Sequence, residues 1–243
     1  WDVDGTLADT EMGGHRIAFN RAFNDFNCGI TWDESTYLKL LEVSGGKNRI
    51  RHYFTSLGKK LSEEDISLIH FAKQKYYQKL IISGQVALRK GVYRLVSELK
   101  SLGIQQWIVT TSSKDSVLPL IHSSFKSLLP VFDGHVTYED VRHTKPDPEA
   151  YLKALSLSGF SSNNTLVIED SQIGLQAASA AGLDSLVTLS PWVKNIDNRF
   201  LKASAVIKDL GDDYNQIKII KGPNSISGKA DYQYLNKILK SKS

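Results

Sequence analysis

Residues 164–189, NTLVIEDSQIGLQAASAAGLDSLVTL, decide the fold class of this chain. LVI and SLVTL are short apolar runs typical of buried strands, and the stretch between them has the length and composition of a helix. A strand, a helix and a strand in this order form a unit with parallel strands. The same alternation recurs after Gly91. We therefore predict an α/β fold, with a Rossmann-like parallel sheet and helices on both faces.

The region between residues 12 and 85 has a different pattern, which is helical throughout. Apolar residues recur every three or four positions in HRIAFNRAFNDF, STYLKLLEV, NRIRHYFTSLG and EEDISLIHFAKQKYYQKLI. Because this block interrupts the alternation of strands and helices, we predict an inserted helical cap domain at 12–85. Residues 1–11 and 86–243 are then the core domain, with hinges near 9–13 and 83–89.

Composition and charge exclude several classes of protein. The 243 residues are 41% hydrophobic and carry a net charge of +4 without a long basic run, so the composition does not indicate a nucleic-acid-binding protein. A single cysteine, Cys28, excludes an internal disulfide and indicates a reducing compartment. No apolar run is long enough for a membrane span. We expect a monomer in the cytoplasm, or in a plastid stroma if a targeting segment precedes the given chain.

Four groups of polar residues lie at or near predicted strand ends, where open parallel sheets bind their ligands. They are Asp2 with Asp4 in WDVDGTLADTE, Thr111 with Ser112 and Ser113 after WIV, Lys145 in RHTKPDPE, and Glu169 with Asp170 after LVI. Taken singly, each has a simpler interpretation as a turn, an N-cap, a solvated loop charge or an acidic helix start. Their convergence on one sheet edge favours a shared site.

The carboxylates of this set suggest a cation. Asp2 and Asp4 repel each other unless a cation or a shared proton compensates their charges. A carboxylate that attacks a phosphate dianion needs the same compensation. Asp2, Glu169 and Asp170 offer hard oxygen ligands of the kind that hold Mg²⁺, and the main-chain carbonyl of Asp4 is a further candidate.

The remaining polar groups complete a hypothesis of phosphoryl transfer. The Lys145 ammonium and the Thr111 hydroxyl would hold the phosphoryl oxygens. The side chain of Asp4, which the metal does not use, would protonate the leaving oxygen and later take a proton from the attacking water. One aspartate attacks in this hypothesis, and its neighbour transfers protons.

These motifs resemble a known family. DVDGTLADT, Thr111 after a buried strand, Lys145 in KPDPEAY, and IEDSQIGLQAA are similar to the four ordered motifs of the haloacid dehalogenase superfamily, over about residues 1–211. The resemblance implies Asp2 as nucleophile, Asp4 as acid and base, Thr111 and Lys145 as phosphate contacts, and Asp2, Asp4, Glu169 and Asp170 around Mg²⁺. Dehalogenases and phosphonatases of this superfamily lack the second aspartate. Asp4 therefore favours a phosphatase or a phosphosugar mutase.

A narrower resemblance concerns the helical block. DTEMGGHRIAFNRAF and SGGKNRIRHYF are similar to the CbbY subgroup, sugar phosphate phosphatases associated with carbon fixation that remove xylulose-1,5-bisphosphate. The resemblance implies that Glu11, His15, Arg16, Lys47 and Arg49 line the cap side of the site. The departures from the subgroup are Met12-Gly13 before GHR and Arg89-Lys90-Gly91 in place of Arg-Pro-Gly, both at the expected hinges.

The helical block is also the basic part of the chain. Residues 12–85 contain eleven Lys/Arg and seven Asp/Glu, and the resulting charge of +4 equals the net charge of the whole chain. Gly45 and Gly46 beside Lys47 and Arg49 let the main chain approach an anion closely, so we predict substrate binding there, with Ser112 and Ser113 contributing from the core. On an α-helix, Glu11 and His15 would share one face.

The leading hypothesis is thus a Mg²⁺-dependent sugar bisphosphate phosphatase whose cap closes over a small phosphorylated sugar. A phosphosugar mutase similar to beta-phosphoglucomutase would use the same core residues. A catalytically idle scaffold is a third alternative, which the intact motifs disfavour. We assign no chemistry to residues 213–243.

Overall fold

The computed structural model describes residues 1–43, 45–192 and 196–240, and the chain divides into two compact units. Trp1–Ala8 together with Leu88–Ser243 form the first unit, which we call the core unit. Asp9–Ala87 form the second, which we call the helical unit. The chain therefore leaves the core unit after its first eight residues and returns to it at Leu88.

Among the described residues of the helical unit, a π-helical turn is followed by four α-helices. The turn is Glu11–His15, and the helices are α1 (Arg16–Asp25), α2 (Glu34–Leu40), α3 (Gly46–Ser56) and α4 (Glu63–Ile82). Local signals fix two helix starts. Asp33 accepts the Thr36 N–H before α2, and Ser62 forms a reciprocal capping box with Asp65 before α4.

Aromatic side chains form the centre of the helical unit. The rings of Phe19 and Phe23 each lie 4.7 Å from that of Trp32, and Phe54 lies 6.1 Å from Phe23. All four side chains are buried. The Asn20 amide accepts the Trp32 N–H and donates to its carbonyl, which anchors the indole between α1 and α2. The large aromatic area buried here stabilises the unit.

The core unit alternates strands and helices. Its strands are β1 (Trp107–Val109), β2 (Gly134–Val136), β3 (Leu166–Glu169), β4 (Asp184–Thr188), β5 (Ala205–Ile207) and β6 (Ile219–Lys221). Its helices are α5 (Val92–Ser101), α6 (Lys114–Ser124), α7 (Glu149–Ser158), α8 (Gln172–Ala180) and α9 (Tyr232–Lys240). The β3–α8–β4 unit corresponds to the stretch that predicted the parallel fold, and β3 and β4 pair in parallel.

The first residues of the chain join two sheets into one. β1 and β2 form a parallel pair, and β3 to β6 form a second sheet in that order, with only β6 antiparallel to its neighbour. Trp1 is bonded through its main chain to Trp107 and Val109 of β1, and the Asp2 N–H donates to the carbonyl of Ile168 in β3. The segment therefore runs between β1 and β3, and it delivers Asp2 to the carboxyl edge of the sheet.

Helices α7 and α8 pack against this sheet. Tyr151 and Ala154 of α7 and Ala177 of α8 belong to one buried cluster with Val109 and Val167. Small residues on α8 allow the helix to approach the strands closely. In the part of the chain that the structure describes, a membrane-crossing helix is ruled out, since each helix is too short or too polar.

Candidate active site

The carboxyl edge of the sheet brings together residues that are distant in sequence. Lys145 Nζ lies 2.8 Å from Asp2 Oδ1, 2.6 Å from Glu169 Oε1 and 2.8 Å from the Val109 carbonyl oxygen. These acceptors use all three N–H groups of the ammonium. Lys145, Asp2 and Glu169 are all buried. The fold thus places one cation between two carboxylates.

The Glu169 carboxylate is held by further donors. Besides the lysine, Oε1 accepts the Tyr151 hydroxyl at 2.9 Å. Oε2 accepts the Asp170 N–H at 3.1 Å, and the N–H and hydroxyl of Ser171 at 3.3 and 3.1 Å. A Cβ atom on Gly174 would lie 1.9 Å from Oε1, so α8 needs glycine where it passes the carboxylate. These contacts fix Glu169 in one orientation.

Three carboxylates at this edge have the chemistry of a divalent cation site. Asp2, Glu169 and Asp170 each offer one oxygen, and these oxygens lie within 4.8 Å of one another. Asp170 lies beside the loop after Asp2, because Thr6 Oγ1 is 3.4 Å from its Oδ1. Gly5 has φ +82°, and a Cβ there would lie 2.1 Å from Asp170 Oδ2. Hard carboxylate oxygens fit Mg²⁺.

Burial and neighbouring charges set the protonation of this site. Burial, and then the charge of Glu169, raise the pKa of Asp2 to about 7. Burial also opposes ionisation of Glu169, but the charge and hydrogen bond of Lys145 outweigh it and lower the pKa of Glu169. Burial would lower the pKa of Lys145, yet the two carboxylates raise it well above its usual value. The lysine therefore stays charged, and additional positive charge would favour ionised Asp2 at neutral pH.

Asp4 is half-buried and does not share the carboxylate cluster formed by Asp2, Glu169 and Asp170. Its Oδ2 accepts the Ser112 hydroxyl at 2.5 Å. The side chain of Asp4 is thus oriented by the loop after β1. Its main-chain carbonyl as a metal ligand stays a prediction.

The loop after β1 carries the other predicted hydroxyls. Thr111 is exposed and directly precedes Ser112. Ser113 is the N-cap residue of α6, and its hydroxyl lies 3.0 Å from that of Ser116. Thr111 as a phosphate contact, and Ser112 and Ser113 as substrate contacts, remain predictions.

In the helical unit, Glu11 and Arg49 belong to one hydrogen-bonded group with Tyr37. The Tyr37 hydroxyl donates to Glu11 Oε2 at 2.5 Å, and Arg49 Nη1 lies 3.2 Å from the same hydroxyl. Arg49 Nε also donates to the carbonyls of Leu40 and Val43, at 3.1 and 2.9 Å. Arg49 consequently holds the end of α2, so its replacement would disturb this unit as well as any ligand.

His15 and Arg16 are successive residues with different partners. His15 stacks on Tyr77 with ring centroids 3.9 Å apart, and its Nδ1 lies 2.9 Å from the buried ammonium of Lys73. Because an ammonium only donates, Nδ1 accepts, and the ring proton is on Nε2. Arg16 lies 3.4 Å from the Trp32 carbonyl. Residues Glu11–His15 form a π-helical turn and not an α-helical one, and the shared face of Glu11 and His15 stays a prediction.

The Gly45-Gly46 start of α3 lies beside the ring of His70. A Cβ on Gly46 would lie 2.6 Å from Nε2 of His70, so a larger residue there would displace the imidazole. Lys47 is exposed and donates to the Ser67 hydroxyl at 3.1 Å. Burial, followed by the charges of Lys73, Lys47 and His15, lowers the pKa of His70 to about 4. This part of the helical unit is therefore a region of positive potential.

Sequence reasoning missed Tyr151, Lys73 and His70. Lys73 had a recognisable signal, because it is a lysine within the buried stripe Ile66, Ile69, Tyr77 and Leu80 of α4. A charge on an otherwise apolar face is costly unless it serves packing or binding. Tyr151 gave no such signal, since a tyrosine on an amphipathic helix is ordinary core composition.

Arg89 was also missed, although its tripeptide had been noted as a departure from the subgroup. Its buried guanidinium donates to the carbonyls of Gly5 at 2.5 Å, Thr188 at 3.0 Å and Leu189 at 2.5 Å. It also lies 3.2 Å from the carbonyl of Lys208. Arg89 thus ties the loop after Asp4 to the ends of β4 and β5.

The buried Lys145 and its carboxylate partners lie at the carboxyl edge of a parallel sheet, which is where α/β proteins bind their ligands. The family model of haloacid dehalogenase-like hydrolases matches residues 1–188. The chain belongs to this family, and both the family and the α/β fold class predicted from the motifs are confirmed. The protein is accordingly a hydrolase.

Individual relatives show which members of the family this chain resembles. Protein CbbY from Rhodobacter capsulatus is 37% identical over 211 residues, which cover 86% of this chain and 92% of that protein. A crystal structure of a CbbY variant from Rhodobacter sphaeroides in complex with xylulose-(1,5)bisphosphate is 32% identical, with a TM-score of 0.77 and coverage of 86% and 92%. A structure from Thermotoga maritima, provisionally named a beta-phosphoglucomutase, is 25% identical, with a TM-score of 0.68 and coverage of 85% and 92%.

Proposed function

We propose that this hydrolase is a Mg²⁺-dependent sugar phosphate phosphatase that acts through an aspartyl phosphate on Asp2. Its proposed substrate is xylulose-1,5-bisphosphate, which it converts to xylulose 5-phosphate and phosphate. One observation carries the proposal. The Lys145 ammonium lies 2.8 Å from Asp2 and 2.6 Å from Glu169, so a cation is built into the carboxylate cluster.

Asp2 is the proposed nucleophile. A carboxylate oxygen of Asp2 would form a bond to phosphorus while the bond from phosphorus to the sugar oxygen breaks. Lys145 holds Asp2 Oδ1 by a hydrogen bond and offsets negative charge at the site. Asp2, Glu169 and Asp170 would hold Mg²⁺, which supplies charge neutralisation to the phosphoryl group.

Asp4 is the proposed acid and base. Its carboxyl proton would pass to the sugar oxygen as that oxygen leaves, and the resulting carboxylate would take a proton from the water that attacks the aspartyl phosphate. The carboxylate cluster of Asp2, Glu169 and Asp170 does not include Asp4, which agrees with a role for the Asp4 side chain in proton transfer and not in metal binding.

The helical unit is the proposed cap and the proposed binding site of the second phosphate. The basic groups that support this are Lys47, Lys73 and His15, beside the Gly45-Gly46 start of α3. A helix N-terminus with glycine and lysine suits an anion. Glu11, Arg16 and Arg49 stay predicted substrate contacts, although Arg49 also holds the end of α2.

A sugar assay tests the function. We expect the purified protein with Mg²⁺ to release phosphate from xylulose-1,5-bisphosphate with a kcat/KM at least about 100-fold above that for xylulose 5-phosphate. A site that binds a second phosphate disfavours a substrate that lacks this group, because its polar groups are then left unpaired. Formation of glucose 6-phosphate from beta-glucose 1-phosphate, without release of phosphate from the bisphosphate, would instead make the protein a mutase.

The same assay tests the helical unit with Lys47→Ala. Lys47 has an exposed ammonium, so its removal leaves the fold intact and deletes one cation. We expect KM for the bisphosphate to rise about tenfold, while KM for a small ester such as p-nitrophenyl phosphate stays within about twofold. Lys60→Ala, which removes another exposed lysine of the same unit, is the matched control. An equal rise for both substrates would remove Lys47 from phosphate binding.

Metal binding can be measured without turnover. We expect saturating Mg²⁺ to stabilise the protein by about 2–3 kcal/mol in thermal unfolding, the amount that a ligand at 100 times its Kd supplies. Asp170→Asn should raise the Kd at least about tenfold. The matched control is Asp147→Asn, an exposed carboxylate that lies in a second acidic group with His143 and Glu149. Loss of the Mg²⁺ effect in the control, or its persistence in Asp170→Asn, would place the metal elsewhere.

A further inference from the structure

The Ser112 hydroxyl donates to Oδ2 of Asp4 at 2.5 Å. The sequence had suggested Ser112 as a substrate contact, but the structure gives its hydroxyl a partner within the protein. That partner is the group to which the proposed function assigns proton transfer.

The main chain of Ser112 is fixed on both sides. Its N–H donates to the Thr110 hydroxyl at 3.0 Å, and its carbonyl accepts the Tyr138 N–H at 3.1 Å. Thr110 is buried, and Tyr138 follows Thr137, which is also buried and forms a reciprocal capping box with Asp140. The hydroxyl of Ser112 is therefore presented to Asp4 by a main chain that two hydrogen bonds anchor to the core unit.

The neighbouring hydroxyls do not share this arrangement. Thr111 is exposed, and the Ser113 hydroxyl lies 3.0 Å from that of Ser116 at the start of α6. Of these three successive hydroxyls, the one that donates to Asp4 is that of Ser112. Its place in the loop therefore decides which hydroxyl can orient the acid.

We propose that Ser112 is a positioning residue for Asp4, which it orients so that the carboxyl group meets the oxygen of the leaving sugar. This inference rests on the proposed role of Asp4 as acid and base. A carboxyl side chain on its own populates several rotamers, and a hydrogen bond to Oδ2 fixes the plane of the group. Ser112 touches neither the substrate nor the reacting atoms in this role.

The expected consequence depends on the leaving group. A sugar alkoxide is a poor leaving group and needs a proton as the bond from oxygen to phosphorus breaks, whereas p-nitrophenolate leaves readily without one. A misplaced acid therefore slows formation of the aspartyl phosphate from a sugar phosphate far more than from p-nitrophenyl phosphate. A merely structural defect would slow both alike.

The test compares kcat/KM for the two substrates in Ser112→Ala, because kcat/KM reports formation of the aspartyl phosphate and excludes the later attack of water that both substrates share. We expect kcat/KM for the sugar bisphosphate to fall about 10- to 100-fold, and kcat/KM for p-nitrophenyl phosphate to fall less than about threefold. Ser112→Thr, which keeps the hydroxyl, should restore most of the lost rate. The matched control is Ser123→Ala on α6, where the hydroxyl donates to the Leu120 carbonyl.

The outcomes separate this inference from the proposed function. Equal losses for both substrates, or no rescue by Ser112→Thr, would overturn the positioning role while leaving the phosphatase intact. A wild-type protein that hydrolyses neither substrate would overturn the proposed function itself, and the positioning role with it.

Discussion

Asp2→Asn should abolish phosphate release, with a loss of kcat on the order of 10⁴-fold or more, because an amide oxygen is a far weaker nucleophile than a carboxylate. The measurement is the rate of phosphate release from the sugar bisphosphate and from p-nitrophenyl phosphate. Both rates should fall together, since both substrates need the same nucleophile. Rates within tenfold of wild type would show that Asp2 does not attack phosphorus.

The same substitution should leave the fold intact. The pKa of Asp2 is raised to about 7, which means that the folded protein disfavours the ionised carboxylate. A neutral amide of the same shape should therefore keep the free energy of unfolding within about 1 kcal/mol of wild type in the absence of metal. Asp213→Asn, which changes an exposed carboxylate of the core unit, is the matched control for both activity and stability.

Lys145→Ala should have the largest effect on stability. The substitution removes the ammonium that Asp2 and Glu169 share and leaves two buried carboxylates without it. Loss of one partner from a buried ionic group costs about 3–5 kcal/mol. We also expect kcat/KM to fall about 100- to 1,000-fold, because Lys145 offsets negative charge where the phosphoryl group would bind. Thermal unfolding and the phosphate assay measure the two effects.

In metal-free protein, the loss of stability caused by Lys145→Ala should be larger at higher pH. The pKa of Asp2 rises from its ordinary value of 3.8 to about 7, so the folded state binds this proton more tightly than the unfolded state, and stability falls as pH rises through that interval. Removal of Lys145 takes away a charge that lowers this pKa. In EDTA, the difference in Tm between Lys145→Ala and wild type should be larger at pH 8 than at pH 5.

The control for this comparison is Lys153→Ala, which removes a partly exposed lysine whose ammonium lies 3.9 Å from Asp140 Oδ1 and donates to the Asp140 carbonyl. Its Tm should stay near that of wild type at both pH values, since exposed ion pairs contribute little. A Tm difference for Lys145→Ala that is small, or equal at pH 5 and pH 8, would contradict the electrostatic account of the site.

The sequence predicted the parts of this protein that local pattern determines. The β3–α8–β4 unit follows directly from two apolar runs and a helical stretch, and Asp2, Lys145 and Glu169 were grouped because each lies near a predicted strand end. Parallel strands end at one edge, so that grouping needed no knowledge of the strand order. The domain boundaries were predicted between residues 11 and 12 and between residues 85 and 86. The chain passes from one compact unit to the other between residues 8 and 9 and again between residues 87 and 88.

Long-range partners could not be predicted in the same way. Lys145 joins Asp2 with Glu169, and the Tyr151 hydroxyl donates to Glu169. These contacts depend on how β1, β3 and α7 pack. The hydrogen bond from Ser112 to Asp4 could not be predicted either, because it joins residues 108 positions apart in the sequence. Glu11 and His15 were assigned α-helical spacing, whereas the chain forms a π-helical turn there.

The most direct test of the account is the stereochemistry of transfer to water from a substrate with an isotopically chiral phosphorothioate group, hydrolysed in isotopically labelled water so that the thiophosphate product is chiral. Attack by Asp2 followed by attack of water involves two inversions, so the account predicts retention of configuration, and acid-quenched turnover should leave a phosphoryl group on the peptide that contains Asp2. Inversion of configuration, with no phosphorylated peptide, would show that water attacks directly and would contradict the account.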